Sequence, residues 1–471
     1  MTTANELLAA DRAFLWNLER RNPGLHIAGL ARIEGSIGHR ELLRQVGRLG
    51  RLPRFGLRVE TAPFGAPRWR AARFDPEQHV HVAGDGDRVA ALGDALTKPL
   101  DPSRPLWEVH LLPKHHDYGD ALLVKTHLAA VDGLGTSALF DVLFDTRVRN
   151  SRDDPSEPLI AVGPLLGARR PENCSGRRLA ERIEDWTGAG QDLVGGAMHL
   201  ASEDVRTALL TLNETMPDAA LPPPPLPFNR PGKGRRRLIR HEFSYADIRT
   251  IRSRLGGALS DVVLAMVGGA LERYLTGRGV PVKGRNLRIA LATDVPGRGG
   301  KRRSLLPIEV PLGLNAAHRF RSVHQLARLL RAAHVPDVLA RLSRVPQRGG
   351  RLTAAAAAMT SRIRPSFHLA VANATGPQIP TFLAGRTVIG YTPSWPVGFG
   401  QGLSCAFFAY NQLLHVGLTV DEGACPDGDA LPDLLAESLS ELREAAGSSP
   451  RRPVRDSPLA PRPHADQTLE T

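Results

Sequence analysis

Residues able to take part in proton transfer concentrate in the stretch LLVKTHLAAVDGLGTSALFDVLF, residues 122–144. Here His127 precedes an Asp-Gly pair, Asp132 and Gly133. A neutral imidazole accepts protons near physiological pH, which makes histidine the commonest general base in proteins. Glycine allows the tight turn that a strand-to-helix connection needs. The residue next to His127 is Leu128, however, and an apolar side chain cannot accept a proton.

The preceding sequence HHDYGDA, residues 115–121, contains two adjacent histidines and an aspartate at a similar spacing. It lies between two strand-like segments, PLWEVHLLP and ALLVKTH, and no apolar helix pattern follows it. Polar residues between two strands favour a solvated hairpin loop. We therefore predict that these histidines lie in a loop and that the turn after His127 is the functional one.

The stretch VKTHLAAVDGLGTSALFDVL resembles the HHxxxDG segment of the bacterial wax ester synthase/diacylglycerol acyltransferase family, which belongs to the CoA-dependent acyltransferases. Four other segments resemble family motifs in the family's order, and the resemblance extends over roughly residues 5–445. The four are RFDPEQHVHV (73–82), similar to FDxxxHV; PLW at Pro105, Leu106 and Trp107; the helix beginning Ser260-Asp261, where the family usually has Asn-Asp; and VANATGP, similar to NVPGP, with Asn373, Gly376 and Pro377.

The resemblance implies a fold, an activity and a set of site residues. The fold is α/β, with two chloramphenicol-acetyltransferase-like sandwich lobes and an active-site channel between them. The activity is O-acyl transfer from acyl-CoA, the co-substrate, to diacylglycerol or a long-chain fatty alcohol, with no other cofactor and no metal. The catalytic positions implied are His127, Leu128, Asp132 and Gly133, and the substrate-binding positions are Pro105, Leu106, Trp107, Ser260, Asp261 and Asn373.

In the family, the second histidine of HHxxxDG is the general base, and Leu128 stands at that position. Side chains alternate along a strand, so His127 should share a face with Lys125 and Leu123 and point away from position 128. Only a local bulge would turn His127 inward, so a structural histidine is the simpler interpretation. Two alternatives follow: an acyltransferase with weakened or lost catalysis, and a non-catalytic homologue that binds acyl-CoA or lipid or partners an active paralogue.

The residues around the motif alternate between strand and helix patterns. LGTSALFDVLF (134–144) has its apolar residues on one helical face, and ALSDVVLAMVGGALERYL (258–275) predicts a strong helix with Ser260 as its N-cap. Further predicted elements are strands in LHIAGLARIEG, LRIALATDVP and SFHLAVANATGP, helices at 39–49 and 324–335, and a closing set of strands at 387–421.

A proline-rich segment, PDAALPPPPLPFNRPGKG, marks the clearest boundary and favours a stiff crossover. We predict an N-terminal lobe at 1–216 that carries HLAAVDG, a proline-rich and basic crossover at 217–240, and a C-terminal lobe at 241–446. The last segment, 447–471, is poor in apolar side chains and should be disordered.

Length and composition limit the classes of function. The chain has 471 residues, of which 42% are apolar, so it can bury a large core. It has neither a GxxxxGK[ST] phosphate loop nor a GxSxG elbow, which argues against a P-loop NTPase and a serine hydrolase. Its three cysteines lack metal-ligand spacing, so a zinc site has little support and a reducing cytoplasm fits. No apolar stretch reaches the length of a membrane span.

The net charge is +13, from 61 Lys+Arg against 48 Asp+Glu. The densest basic run contains Arg235, Arg236 and Arg237. A solvated linker is the simplest interpretation, followed by attraction to an anionic membrane or lipid-droplet surface or to the phosphates of CoA. No aromatic residues interleave with the run to stack bases, so we do not expect nucleic-acid binding. We expect a cytoplasmic protein with peripheral contact at the inner membrane surface.

Overall fold

A computed structural model describes most of both halves of the chain. The predicted tail beyond residue 447 lies outside the described residues. The residues described are 16, 24–52, 54–61, 67–84, 86–113, 119–131, 136–146, 203–219, 221–230, 234–297, 300–342, 367–398 and 400–447.

Fourteen strands are present in these ranges. They are β1 (His26–Ile33), β2 (Leu57–Glu60), β3 (Arg68–Ala71), β4 (Val80–Val82), β5 (Trp107–Leu112), β6 (Ala121–His127), β7 (Arg236–Ser244), β8 (Asn286–Gly297), β9 (Gly300–Pro311), β10 (Leu369–Thr375), β11 (Thr381–Leu383), β12 (Arg386–Ser394), β13 (Leu403–Tyr410) and β14 (Leu413–Asp421).

The same part of the chain contains nine α-helices. They are α1 (His39–Gly47), α2 (Arg88–Thr97), α3 (Thr136–Leu143), α4 (Glu203–Thr215), α5 (Tyr245–Leu255), α6 (Leu259–Gly277), α7 (Ala316–Ala332), α8 (Val335–Leu342) and α9 (Leu431–Ala445).

Two six-stranded sheets form the centres of two α/β lobes, which confirms the predicted fold class. The first sheet has the order β11-β12-β1-β6-β5-β4, and the second has the order β7-β14-β13-β10-β8-β9. β5 and β6 pair in antiparallel fashion, as the predicted hairpin requires. The second lobe is built around α6, whose apolar residues are buried on all sides, as expected for a central core helix.

The two sheets exchange strands along the sequence. β11 and β12 come late in the chain, yet β12 pairs with β1 in the first sheet. β12 also lies against β14 of the second sheet, so closely that a Cβ at Gly417 would be 1.7 Å from the carbonyl oxygen of Pro393. The lobes are therefore interlocked, and the predicted boundaries at 216 and 240 stay a prediction.

A hydrophobic cluster fills the junction between the lobes. Its aromatic centre joins Phe140 of α3 to Tyr391 of β12 and Phe408 of β13, with ring centroids 5.1 and 5.2 Å from Phe140. Leu128 of the HLAAVDG motif belongs to the same cluster, so this part of the motif lies at the junction between the lobes.

In the described ranges, no single helix is long and apolar enough to cross a membrane. Taken together, α5 and α6 have the length and the apolar composition of a membrane span. The two helices are, however, bent by 103° at the break between them.

Candidate active site

The strand that carries the motif, β6, lies in the first sheet between β1 and β5. His127 is its last residue and pairs with His26, and Lys125 pairs with both Ala28 and Glu108. Directly paired residues point to the same face of a sheet. His127 and Lys125 therefore share one face, here called the outer face, which α2 covers. This is the arrangement that strand alternation predicts.

The imidazole of His127 is 1% exposed, and its Nδ1 accepts a hydrogen bond from the backbone N–H of Ala129 at 3.0 Å. A ring nitrogen that accepts carries no proton, so the neutral ring has its proton on Nε2. Trp16 packs edge-on against the ring, with 5.8 Å between centroids. The one basic nitrogen of His127 is thus engaged in holding the turn, which is the geometry of a structural histidine.

Leu128 follows the end of β6, and its N–H donates to the carbonyl of Leu25 at 3.0 Å. Its side chain is 5% exposed and belongs to the hydrophobic cluster at the lobe junction, together with Trp395 and Ala370 from the second half of the chain. Position 128 therefore faces the junction, on the side opposite to His127. Asp132 and Gly133 lie outside the described residues.

The PLW segment lies directly beside the end of the motif strand. The carbonyl of Leu106 accepts the backbone N–H of His127 at 3.0 Å and the hydroxyl of Thr126 at 3.1 Å. The carbonyl of Pro105 accepts the N–H of Trp107 at 2.8 Å. These contacts show that the segment positions the motif, whereas substrate binding by it stays a prediction.

Trp107 also connects the PLW segment to the FDxxxHV-like segment. Nδ1 of His79 donates to the carbonyl of Trp107 at 2.7 Å, and the two rings stack with 4.1 Å between centroids. The Trp107 indole N–H donates to the carbonyl of Phe55 at 2.9 Å. Burial lowers the pKa of His79, so its imidazole is neutral at physiological pH. The PLW and FDxxxHV-like segments therefore pack against each other next to β6.

Lys125 is a buried cation that sequence patterns did not single out. Its Nζ donates to the carbonyls of Ala95 at 2.9 Å and Lys98 at 2.6 Å, and it lies 3.3 Å from Oε2 of Glu108. The two carbonyls are at the C-terminal end of α2, where the helix dipole favours positive charge. Burial lowers the pKa of Lys125, while Glu108 opposes this shift. Lys125 thus fastens α2 to the motif strand.

Comparison with known proteins identifies the family. The sequence profile of the wax ester synthase/diacylglycerol acyltransferase catalytic domain matches residues 7–263. The chain belongs to the wax ester synthase/diacylglycerol acyltransferase family. The profile of this family's C-terminal domain matches residues 304–443, so both domains are recognised.

Two mycobacterial relatives align with nearly the whole chain. One is described as a putative diacylglycerol O-acyltransferase of Mycobacterium bovis and the other as a probable diacylglycerol O-acyltransferase of Mycobacterium tuberculosis. Each is 26% identical over 478 residues, which cover 93% of this chain and 96% of the relative.

Solved structures share the fold across the family and beyond it. The wax ester synthase/diacylglycerol acyltransferase of Marinobacter aquaeolei superposes with a TM-score of 0.61 at 21% identity, covering 94% of this chain and all of that one. The first condensation domain of the CDA synthetase gives a TM-score of 0.61 at 15% identity, with 95% and 97% covered. A starter condensation domain of rhizomide synthetase in complex with C8-CoA gives 0.59 at 14% identity, with 94% and 96% covered.

The Ser-Asp pair of this family member fastens two helices of the second lobe. The buried carboxylate of Asp261 accepts the N–H of Ala258 at 3.0 Å and contacts Nδ1 of His324 at 2.8 Å. Its other oxygen lies 3.1 Å from Arg331, which also donates to the hydroxyl of Ser260 at 2.7 Å. The N-cap of α6 is Ala258, so the prediction of Ser260 as the cap is wrong. Substrate contact by the pair stays a prediction.

Asn373 lies on β10, where it pairs with Phe407 of β13. Alternation along the strand places it on the face of Leu369 and Val371, which belong to the core of the second lobe. Ala370 and Ala372, on the other face, belong to the cluster at the lobe junction. Asn373 thus points away from the junction, and substrate binding by it stays a prediction.

The basic run interpreted as a solvated linker is largely strand β7, with its arginines engaged. Arg236 is 9% exposed and donates to the carbonyl of Gly24 at 3.0 Å. The neighbouring arginines form ion pairs, Arg235 with Asp94 and Arg237 with Asp429, each at 2.8 Å. The linker interpretation is wrong for these residues, because their charge is used within the molecule. Peripheral contact with a membrane or lipid-droplet surface stays a prediction.

A surface groove of about 750 Å³ lies in the second lobe between α6, α7 and α9. None of the predicted site residues lines it, and its walls include Glu272, Asn315, Arg319 and Glu441. The groove mixes both signs of charge and is separate from the HLAAVDG turn.

Proposed function

We propose that this protein binds acyl-CoA and an acyl acceptor, diacylglycerol or a long-chain alcohol, between its two lobes and transfers the acyl group slowly. Membership of the family supports acyl-CoA-dependent diacylglycerol or wax ester acyltransferase activity. The slow transfer rests on one observation, the apolar side chain of Leu128 at the lobe junction in the position of the family's general base.

The reaction needs a proton acceptor at a definite place. The acceptor oxygen attacks the carbonyl carbon of the thioester as its O–H proton leaves, and the C–S bond then breaks so that CoA departs as the thiol. A positioned base contributes about 10²- to 10⁴-fold to such a step. Without it the proton must pass to water, and orientation of the two substrates is the remaining source of rate enhancement.

His127 does not replace the missing base in this geometry. Its Nδ1 accepts the N–H of Ala129, and its ring shares the outer face with Lys125, opposite to Leu128. Taking a proton at Nδ1 would break the hydrogen bond that holds the turn. The geometry therefore supports a structural role for His127.

The same observation favours a second candidate of another class, a non-catalytic homologue that holds acyl-CoA or lipid, or that assists an active paralogue. The complex of C8-CoA with the rhizomide synthetase condensation domain supports acyl-CoA binding in either case, because the two chains share a fold. The two candidates differ only in turnover.

The test combines binding with turnover. Purified protein is incubated with radiolabelled palmitoyl-CoA and either dioleoylglycerol or hexadecanol, the lipids are separated by chromatography, and palmitoyl-CoA binding is measured by calorimetry. Binding with slow ester formation supports the proposal, whereas binding without turnover supports the second candidate. Fast turnover would contradict the role assigned to Leu128. Absence of both binding and turnover would overturn both candidates.

A further inference from the structure

The outer face of the first sheet carries three side chains that are able to bind a metal ion, on the face opposite to Leu128. β4 and β5 are parallel neighbours whose register pairs His81 with His110. Glu108 lies two residues before His110 and so shares its face. One ligand atom from each of these three side chains lies within 4.8 Å of the other two.

The separations are close to those of ligands on a single ion. Nε2 of His110 is 3.0 Å from Oε2 of Glu108, and the rings of His81 and His110 are 4.9 Å apart between centroids. Two ligands bound tetrahedrally to zinc at about 2.0–2.1 Å lie about 3.3 Å from each other. The three ligand atoms, all within 4.8 Å of one another, are therefore near the spacing that a single ion requires.

We propose that His81, Glu108 and His110 bind a zinc ion. Two imidazoles and one carboxylate form a donor set that suits zinc, and a fourth position stays open to water because His81 is exposed. β4 is a three-residue strand at the edge of its sheet, so the ion cross-links this edge to β5.

Lys125 has two opposing effects on the site. Its Nζ lies 3.3 Å from Oε2 of Glu108 and orients the carboxylate, as supporting partners of metal ligands do. Its positive charge, in turn, repels the ion, so we expect weaker binding than at a zinc site with four protein ligands. No spacing within the sequence indicates the cluster, because its ligands come from two separate strands rather than from one spaced motif.

The test uses metal-free full-length protein titrated with ZnCl₂ by calorimetry and with CoCl₂ by visible absorption, which reports tetrahedral coordination. His81→Ala removes an exposed ligand, and His39→Ala removes an exposed histidine elsewhere. We expect His81→Ala to weaken this zinc site at least ~10-fold and to lose the zinc-dependent rise in Tm, whereas His39→Ala keeps both. Zinc that binds outside this cluster should bind equally to the wild type, His81→Ala and His39→Ala.

Glu108→Gln provides a second arm, because its amide keeps hydrogen-bonding capacity but is a poor zinc ligand. We expect this variant to lose the cobalt absorption of the wild type. Equal zinc stoichiometry and equal Tm shifts in wild type, His81→Ala and Glu108→Gln would overturn the proposal and leave only a hydrogen-bonded network. The readouts are binding and Tm, so the outcome is independent of acyl transfer.

Discussion

Leu128 places an apolar side chain at the position where the family has its general base. Leu128→His introduces an imidazole where the family has its base, so we expect the rate of acyl transfer to rise at least ~10-fold. The gain is limited by the surroundings, because a buried ring nitrogen needs a hydrogen-bond partner and the leucine packs in an apolar cluster. Initial rates with palmitoyl-CoA and dioleoylglycerol measure the effect.

Two controls separate chemistry from packing at this turn. Leu128→Met keeps the apolar volume and should leave the rate unchanged. His127→Ala removes the acceptor of the Ala129 N–H, so we expect Tm to fall. The rate of acyl transfer per folded molecule should change little. A wild type that turns over at ordinary family rates, with His127→Ala abolishing the activity, would show that His127 is the base.

Some residue-scale features of the site were predictable and others were not. The opposite directions of His127 and Leu128 follow from the two-residue period of a strand, which is a local property. The Lys125–Glu108 pair and the approach of His81 to His110 depend instead on the register between strands. Register is set by tertiary packing, so no spacing within the sequence indicates these contacts.

At the scale of elements, Asp261 holds α7 against the start of α6. Asp261→Ala removes the acceptor of the Ala258 N–H and of two partners on α7, His324 and Arg331. We expect the free energy of unfolding to fall by roughly 2–4 kcal/mol, the combined effect of a lost cap and lost charged hydrogen bonds. Urea unfolding followed by circular dichroism measures it.

Ser260→Ala is the matched control for this prediction. It removes one hydroxyl that contacts Arg331 and leaves the carboxylate in place. Its effect should be about 1 kcal/mol or less. If Asp261→Ala unfolds at the same urea concentration as the wild type, the carboxylate is not an anchor, and a direct role in substrate binding becomes the better explanation of the Ser-Asp pair.

Elements with a strong apolar period were predictable, whereas elements defined by polar side chains were not. α6 and β1 follow the predicted segments closely. α7 begins at Ala316 rather than near 324, because the side chain of Asn315 accepts the N–H of His318 at 2.9 Å and caps an earlier turn. The arginines of β7 resemble a solvated linker in sequence, but one of them, Arg236, donates to backbone carbonyls distant in the chain.

At the scale of the whole molecule, Arg236 connects the second sheet to the first lobe. It lies on β7, and its guanidinium donates to the carbonyls of Gly24 at 3.0 Å and Val397 at 3.2 Å. Gly24 has a φ of +118°, and a Cβ there would lie 1.9 Å from the guanidinium. The positive φ therefore favours glycine, and the absence of a side chain leaves room for the guanidinium.

Arg236→Met should lower the free energy of unfolding by at least ~3 kcal/mol, because it leaves buried carbonyls without a charged donor. Arg237→Met is the matched control on the adjacent position of β7. Arg237 pairs with Asp429, whose side chain is 68% exposed, and such surface pairs contribute about 0–1 kcal/mol. Urea unfolding followed by tryptophan fluorescence measures both variants. Equal losses would show that Arg236 does not tie the lobes together. A larger loss for Arg236→Met than for Arg237→Met would locate the stabilisation in the contact between the two lobes.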